Sequence, residues 1–208
     1  MKFAPEGLQL VSPISALAAV ALIAWFFSRI SPFLWIGVVV AVLSMLILLF
    51  FRDPERQVPT DPKVVVSPAD GKVIAAETLP DGRKHVAIFL SVFDVHINRV
   101  PVSGTATKIE HTPGSYFHAG SLRAAGENAR VDVEAQTEFG AVSWRQLSGA
   151  IARKISCRLK PGDSFKTGDR FGLIYFGSRM DVMMPSTATL VIQKGERVVA
   201  GETKVAVF

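Results

Sequence analysis

The segment LKPGDSFKTGDRFGLIYF (159–176) has the same pattern as IQKGERVVAGETKVAVF (192–208), at the end of the chain. Each begins with an apolar strand and a lysine, which is followed directly or after a proline by a Gly-acid turn. A short middle strand, a second Gly-acid turn and a closing apolar strand come next. Glycine adopts the backbone angles that such turns require. The repeat therefore predicts two related hairpins packed as a small sandwich.

The chain upstream of the repeat also has the pattern of short strands. From residue 63 onward, runs of alternating polar and apolar residues are separated by turn residues, as in antiparallel sheets. Only residues 116–130 lack this alternation, and they are interpreted as a long loop or short helical turns. The predicted fold class is mainly β, a sandwich of short antiparallel strands with a hairpin repeat like that of the lipoyl and biotinyl carrier domains.

The N-terminal quarter of the chain is different, because it contains two uncharged apolar stretches, Leu8–Phe27 and Phe33–Phe51. The second has nearly the length that crosses a hydrocarbon core of roughly 30 Å, and Pro32 is well placed to begin a helix. The short connection SRISP predicts a helical hairpin in a membrane. Positive charge is denser after the hairpin than in its loop, so we expect the C-terminal part on the cytoplasmic face of the cell membrane.

Composition narrows the function classes. The net charge of +5 suits an anionic membrane surface. The sequence contains no basic patch interleaved with aromatic residues, so a nucleic-acid partner is not predicted. The single cysteine, Cys157, excludes an internal disulfide, and its alternating surroundings favour a buried structural thiol. No metal ligand set is predicted, and a homodimer is compatible with the sequence.

Polar residues that could carry chemistry interrupt the strand pattern in four places. Asp70 lies in an Asp-Gly turn, and Asp94, His96 and Asn98 share one face of a strand by the period of two. The third place is the segment 116–130, which contains Tyr116, His118, Glu127, Asn128 and Arg130. The fourth is the segment 177–181, which contains Gly177, Ser178, Arg179 and Asp181. A G-x-S-x-G nucleophile elbow is absent, so a serine hydrolase is not favoured.

Attack of the Ser178 hydroxyl on the carbonyl of Gly177 fits this sequence better. The amide would become an ester, and β-elimination would break the chain and leave a dehydroalanine that hydrolyses to a pyruvoyl group. This route needs a small residue before the serine, a base, and a turn held between strands. The sequence supplies all three.

Six motifs in order resemble those of the phosphatidylserine decarboxylase proenzymes, in particular their short bacterial and archaeal form. The resemblance extends from Phe50 to the C-terminus, and the hairpin is also similar. The motifs are FFRDPER, SPADG, FDVHINRVPVSG, PGS, ENAR and FGSRMDV.

The resemblance implies a membrane-associated hairpin (1–52) and a β-rich catalytic domain (53–208). Self-cleavage between Gly177 and Ser178 would give a β chain (1–177) and an α chain (178–208) that stay partners, with a covalent pyruvoyl cofactor derived from Ser178. Asp70 matches the aspartate that assists processing, and His96 matches the histidine of decarboxylation. The substrate would be phosphatidylserine in membrane lipid, and the products phosphatidylethanolamine and CO₂.

One departure from the family pattern concerns the processing base. Arg99 stands where long-form relatives have a second histidine, and a guanidinium is no base at ordinary pH. We therefore predict that His96 serves both steps, with His118 as the second choice. Arg179 and Arg99 are candidates to bind the head-group carboxylate or phosphate, with structural ion pairs as the alternative.

Hydrophobic residues near Ser178 have two interpretations. Met183, Met184 and Phe117 could contact acyl chains or belong to the core, which is the commoner role. Three other functions stay open: a membrane-tethered lipoyl or biotinyl carrier, a non-enzymatic scaffold, and a pyruvoyl decarboxylase of another amino acid. RMDVMMP lacks the modifiable lysine of a carrier, and a membrane hairpin does not favour a soluble substrate.

Overall fold

The computed structural model describes residues 2–150, 154–175 and 178–208. It is mainly β, with two apolar helices at the N-terminus, which confirms the predicted fold class. It consists of two compact units, Met1–Glu55 and Arg56–Phe208.

The N-terminal unit is a helical hairpin. Its elements are β1 (Lys2–Phe3), α1 (Pro5–Ser28), α2 (Ser31–Phe50) and β2 (Arg52–Asp53), and β1 pairs with β2 in antiparallel orientation. Arg29 ends α1 in the left-handed conformation, and its N–H donates to the carbonyl of Trp25. Pro13 lies inside α1 without ending it, so this helix is longer than the apolar run after Pro13 suggested. By length and composition, both helices could cross a membrane.

In its described residues, the second unit contains the remaining strands and one short helix. Its elements are β3 (Val64–Val66), β4 (Gly71–Thr78), β5 (Lys84–Leu90), β6 (Ile97–Arg99), β7 (Gly104–Thr112), α3 (Leu122–Glu127), β8 (Arg130–Thr137), β9 (Gly140–Leu147), β10 (Ile155–Cys157), β11 (Ser164–Phe165), β12 (Arg170–Ile174), β13 (Ser178–Met184), β14 (Thr189–Leu190), β15 (Arg197–Val198) and β16 (Lys204–Val207).

Three sheets build this unit. The largest has the strand order β11-β7-β8-β9-β13-β5-β4-β15, and the two smaller ones have the orders β10-β12-β6 and β14-β16-β3. All of the strand pairs are antiparallel. The core-facing side of the large sheet is apolar: β13 contributes Met180, Val182 and Met184, and β5 contributes Val86, Ile88 and Leu90.

The predicted repeat appears as matching turns, but its two copies are not paired hairpins: β11 and β15 belong to the large sheet, and β12 and β16 to the two smaller sheets. Gly162 and Gly195 both have positive φ, and their N–H groups donate to the carbonyls of Ala106 and Val73 respectively, each at 2.8 Å. In the second turns, Gly168 and Gly201 donate in the same way to Val100 and Ser67. The donor glycines of the two copies are 33 positions apart in both turns, and the acceptor residues of the two copies are also 33 positions apart. The repeat therefore extends to the strands with which the two copies pair, β6–β7 for the first copy and β3–β4 for the second.

Candidate active site

Two of the predicted site residues, Ser178 and His96, lie at two connections at one end of the large sheet. Residues 91–96 join β5 to β6, and residues 175–177 join β12 to β13. Ser178 pairs with Leu90 at the end of β5, and Leu173 near the end of β12 pairs with Ile97 at the start of β6. Because both strand pairs are antiparallel, the two connections start and finish side by side. Ser178 and His96 consequently border the same place.

Ser178 is fully buried, and its Oγ has no hydrogen-bond partner among residues 2–150, 154–175 and 178–208. Alternation along β13 puts its side chain on the same face as Met180, toward the core. A buried hydroxyl without a partner costs about 1–3 kcal/mol, so such groups call for an explanation. Gly177, the predicted residue before the scissile bond, lies outside the described residues.

His96 is also fully buried, and its Nδ1 lies 2.9 Å from the carbonyl oxygen of Asp94. A carbonyl oxygen only accepts hydrogen bonds, so Nδ1 carries a proton in this contact. In the neutral ring the lone pair is then on Nε2. The contact favours the neutral tautomer in which Nε2 carries the lone pair.

Asp94 fixes the connection that carries His96. Its carboxylate accepts hydrogen bonds from the N–H of Ser91 at 2.8 Å and from the hydroxyl of Ser91 at 2.7 Å, and it pairs with the guanidinium of Arg197. It lies in the turn before β6 and not on the strand itself, where the alternation had placed it. One residue therefore holds the loop through its side chain and the histidine through its carbonyl.

Asp70 lies between β3 and β4 and has different partners. Both of its carboxylate oxygens accept hydrogen bonds from Nη2 of Arg56, at 2.9 and 2.8 Å, and Oδ1 also accepts from the N–H of Ala200 at 2.8 Å. The ion pair is mostly buried. These contacts tie the start of the second unit to the turn between β15 and β16.

The two candidate arginines are buried, and each is bonded to the protein. Arg99 donates to the carbonyl of Gly168 at 3.0 Å, and Arg179 donates from Nε to Asp181 at 2.6 Å. By strand alternation, Arg179 points to the face opposite Ser178, and Arg99 to the face opposite Asn98. Neither contact supports the prediction that these arginines bind the head group, which stays a prediction.

Sequence reasoning missed one buried polar pair, Asn98 and Gln146. Gln146 Nε2 donates to Asn98 Oδ1 at 2.8 Å and lies 3.4 Å from the carbonyl of Ser156. The pair joins β6 to the large sheet, where Gln146 is opposite Met180. Within the part of the chain that the structure describes, Asn98 Nδ2 and Gln146 Oε1 have no partner. Together with Ser178 Oγ, they are unsatisfied polar groups on elements that meet at this end of the core.

A second missed network lies on the opposite face of β13. His85 lies between Glu77 at 3.2 Å and Asp181 at 3.7 Å, and Asp181 also accepts from Arg179. Burial lowers the pKa of His85, but the hydrogen bond and charge of Asp181, helped by Glu77, outweigh it and raise that pKa above its ordinary value. Arg179, the residue after Ser178, is thus held by a network of ionisable side chains.

The remaining motif residues have identifiable surroundings. Asn128 is buried and holds the 113–121 loop through Phe117 N–H, Phe117 C=O and Ser148 C=O, each at 2.8 Å. His118 stacks on Phe89 with ring centroids 5.3 Å apart. Met184 is in the core and Met183 is half-buried. Burial raises the pKa of the Cys157 thiol, as for a structural cysteine.

The described residues contain no metal site, and the proposed cofactor would be part of the chain. No group of three or more metal-ligating side chains occurs among residues 2–150, 154–175 and 178–208. A pyruvoyl group would need no binding cradle, because it would be made from Ser178 itself. The buried position of this serine at the start of a strand, with an unsatisfied Oγ, fits that origin.

Fold and site define a mainly β protein with a buried serine at a strand start, beside a loop that holds a buried histidine. The family model for phosphatidylserine decarboxylase matches residues 43–206. The phosphatidylserine decarboxylase proenzyme of Chlorobaculum parvum is 34% identical over 98% of this chain and 97% of its own length. Those of Chlorobium chlorochromatii (43% identical; 81% of this chain, 82% of the relative) and Syntrophus aciditrophicus (40%; 94% and 93%) are also similar. The chain belongs to the phosphatidylserine decarboxylase family.

Proposed function

We propose that this protein decarboxylates phosphatidylserine to phosphatidylethanolamine and CO₂ after cutting itself between Gly177 and Ser178. Family membership supports the reaction class. The observation that carries the proposal for this chain is the fully buried Ser178 beside the loop of His96, with an Oγ that has no partner in the described part of the chain. A lipoyl-type carrier or a scaffold would not need a buried, unsatisfied serine there.

Self-processing would proceed with the chain's own groups. His96 Nε2 accepts the proton of Ser178 Oγ, which attacks the carbonyl carbon of Gly177, and the C–N bond breaks to give an ester and an amine. Loss of the Cα proton and cleavage of the Cβ–O bond then release the carboxylate of Gly177. Water hydrolyses the remaining dehydroalanine with loss of ammonia. The fixed Nδ1–H of His96 supports this role, since it leaves Nε2 as the basic atom.

In decarboxylation, the pyruvoyl group derived from Ser178 would supply an electron sink for the electrons that the departing carboxylate leaves behind. His96 would then donate a proton from Nε2 to the substrate carbon. Burial of His96 and Ser178 excludes bulk water from this proton transfer. Asp70 would act in processing by fixing the start of β4 through its contacts with Arg56 and Ala200.

We further propose that the two parts of the chain have separate roles. Residues 1–52 would associate with the membrane, and residues 53–208 would form the catalytic domain on the cytoplasmic face. The two apolar helices support this assignment by length and composition. A diacyl substrate does not leave a bilayer readily, so an enzyme that acts on it benefits from such an anchor.

The test is product formation from phosphatidylserine in vesicles by the wild-type protein and by Ser178→Ala. We expect phosphatidylethanolamine and CO₂ in equal amounts from the wild type and none from the variant, with no release of CO₂ from soluble amino acids. Release from a soluble amino acid alone would favour a different pyruvoyl decarboxylase. No release from any of these substrates would favour the carrier or scaffold.

A further inference from the structure

Exposed apolar side chains are rare on the β-rich unit and are concentrated near Ser178. Within the described part of Arg56–Phe208, the large hydrophobic residues that are exposed are Val92 (41%), Phe93 (83%), Tyr116 (42%) and Val191 (50%). Val92 and Phe93 lie on the loop that holds His96, and Tyr116 lies on the 113–121 loop. We call Val92, Phe93 and Tyr116 the apolar rim.

The two loops of the apolar rim lie at the same end of the large sheet. The 91–96 loop follows Leu90, the register partner of Ser178. The 113–121 loop reaches the same end, since His118 stacks on Phe89, the residue before Leu90. The rim therefore flanks the place where a substrate head group must arrive.

Both loops are held by hydrogen bonds at their bases although their tips are exposed. Asp94 fixes the first loop through Ser91 and Arg197, and Asn128 fixes the second through Phe117. A phenylalanine held largely in water forgoes the favourable transfer of its ring into an apolar medium. Rigid presentation of exposed apolar groups is typical of surfaces that bind a partner or a membrane.

The charges around the rim identify the partner. Arg197 and Arg123 have side chains 69% and 66% exposed, and the ammonium of Lys154 lies over the Tyr175 ring that precedes the cleavage site. Arg197 and Arg123 are paired with Asp94 and Glu127, so these four side chains have no net charge, and Lys154 gives the set its net positive charge. Aromatic residues beside basic ones are typical of contact with an anionic bilayer surface.

We propose that the apolar rim inserts into the interfacial layer of an anionic bilayer and seats the catalytic end of the domain on the membrane. The proposal deepens the proposed function, because it gives the lipid a route to Ser178 that does not require extraction into water. Phe93, the most exposed of the three, makes the deepest contact.

The experiment reads bilayer contact at single positions in the full-length chain. Cys157→Ala supplies a background without cysteine, and Phe93→Cys or Asp81→Cys receives an environment-sensitive fluorophore. Asp81 is the matched control, because it is exposed in the β4–β5 turn at the other end of β5, about 20 Å away at ~3.3 Å per residue. Each protein is reconstituted into vesicles of phosphatidylcholine and phosphatidylglycerol, with and without bromine on the acyl chains.

We expect the brominated chains to quench the label at position 93 at least threefold more than the label at position 81. Equal quenching at both positions would overturn the proposal. Shielding of position 93 that rises with protein concentration in detergent would also overturn it, in favour of contact between copies of the chain. The same measurement in Ser178→Ala separates the two proposals, since quenching there does not depend on cleavage or decarboxylation.

A kinetic test uses Phe93→Ser beside the conservative Phe93→Leu. The ratio of activity on phosphatidylserine in vesicles to activity on a dispersed short-chain phosphatidylserine should fall several-fold for Phe93→Ser and recover in Phe93→Leu. An unchanged ratio in Phe93→Ser would contradict insertion.

Discussion

At the scale of single residues, the site depends on which atom of His96 carries a proton. The Asp94 carbonyl takes the Nδ1–H, so the neutral ring presents Nε2 as the base. In the proposed mechanism, His96 takes the processing role for which Arg99 is unsuited. A buried arginine bonded to Gly168 C=O cannot supply the missing base, and His96 already has the required tautomer.

Replacement of His96 by Gln should slow self-cleavage by about 10²-fold or more, the usual contribution of a general base. His118→Gln is the matched control and should cleave at nearly the wild-type rate, because His118 stacks on Phe89. The fraction of cleaved chain is followed on denaturing gels after synthesis. If His118→Gln cleaved itself more slowly than His96→Gln, His118 would be the processing base.

His85 gives the stability of the domain a pH dependence. Because its pKa is raised in the folded protein, its contacts with Asp181 and Glu77 stabilise fully below the unfolded pKa of about 6.5 and are lost as pH rises through the folded value. The melting temperature of the wild type in detergent should therefore fall, relative to that of His85→Gln, as the pH rises from the unfolded pKa through the folded pKa of His85. His111→Gln, which changes an exposed histidine, should retain the wild-type profile. Identical profiles for wild type and His85→Gln would refute this role.

At the scale of elements, β6 and β9 meet through the Asn98–Gln146 pair, which depends on a close approach at Gly172. A Cβ at Gly172 would collide with the carbonyl oxygen of Ser156 and lie 2.7 Å from Gln146 Nε2. The backbone of β10 and the amide of Gln146 leave no room for it. The glycine thus permits the sheet of β12 to pack beside the buried amides.

Gly172→Ala should consequently destabilise the protein by about 1–3 kcal/mol, the usual cost of an overpacked core. Gly126→Ala is the control, because a Cβ there meets nothing within 4 Å and alanine favours the helix α3. Melting temperatures of both variants in one detergent provide the comparison. A Gly172→Ala protein as stable as Gly126→Ala would show that the approach is not tight.

The sequence could predict the elements better than their contacts. The Gly-acid turns, the apolar hairpin and the serine beside Gly177 are local patterns, and turn chemistry and hydrophobic length determine them. The fold class is confirmed, whereas Gln146 and His85 were overlooked. Each sits in an ordinary alternating strand, and its partner is Asn98 or Asp181, distant in sequence. A single sequence carries no signal for such pairings.

At the scale of the whole molecule, the segment after Ser178 belongs to the sheets and is not an appendage. Its strand β13 lies between β9 and β5 in the large sheet, β15 pairs with β4, and β16 pairs with β3. The ion pair of Arg197 with Asp94 also joins it to the loop of His96. Cleavage before Ser178 would therefore leave the small chain bound by its neighbours on both sides.

The two chains should remain together in native buffer after cleavage and separate only on denaturation. A tag at Phe208 would recover Met1–Gly177 along with Ser178–Phe208 in equal amounts. Recovery of the tagged small chain alone under native conditions would contradict the strand order described above.

The most direct test of the central claim is the intact mass of the wild-type protein beside that of Ser178→Ala. The account predicts two wild-type fragments, Met1–Gly177 and Ser178–Phe208, which together nearly equal the 22.5 kDa chain, with a carbonyl in place of the amine at the start of the small one. Ser178→Ala should remain one chain of 22.5 kDa. An uncut wild-type chain in membranes that contain the folded protein would contradict the account.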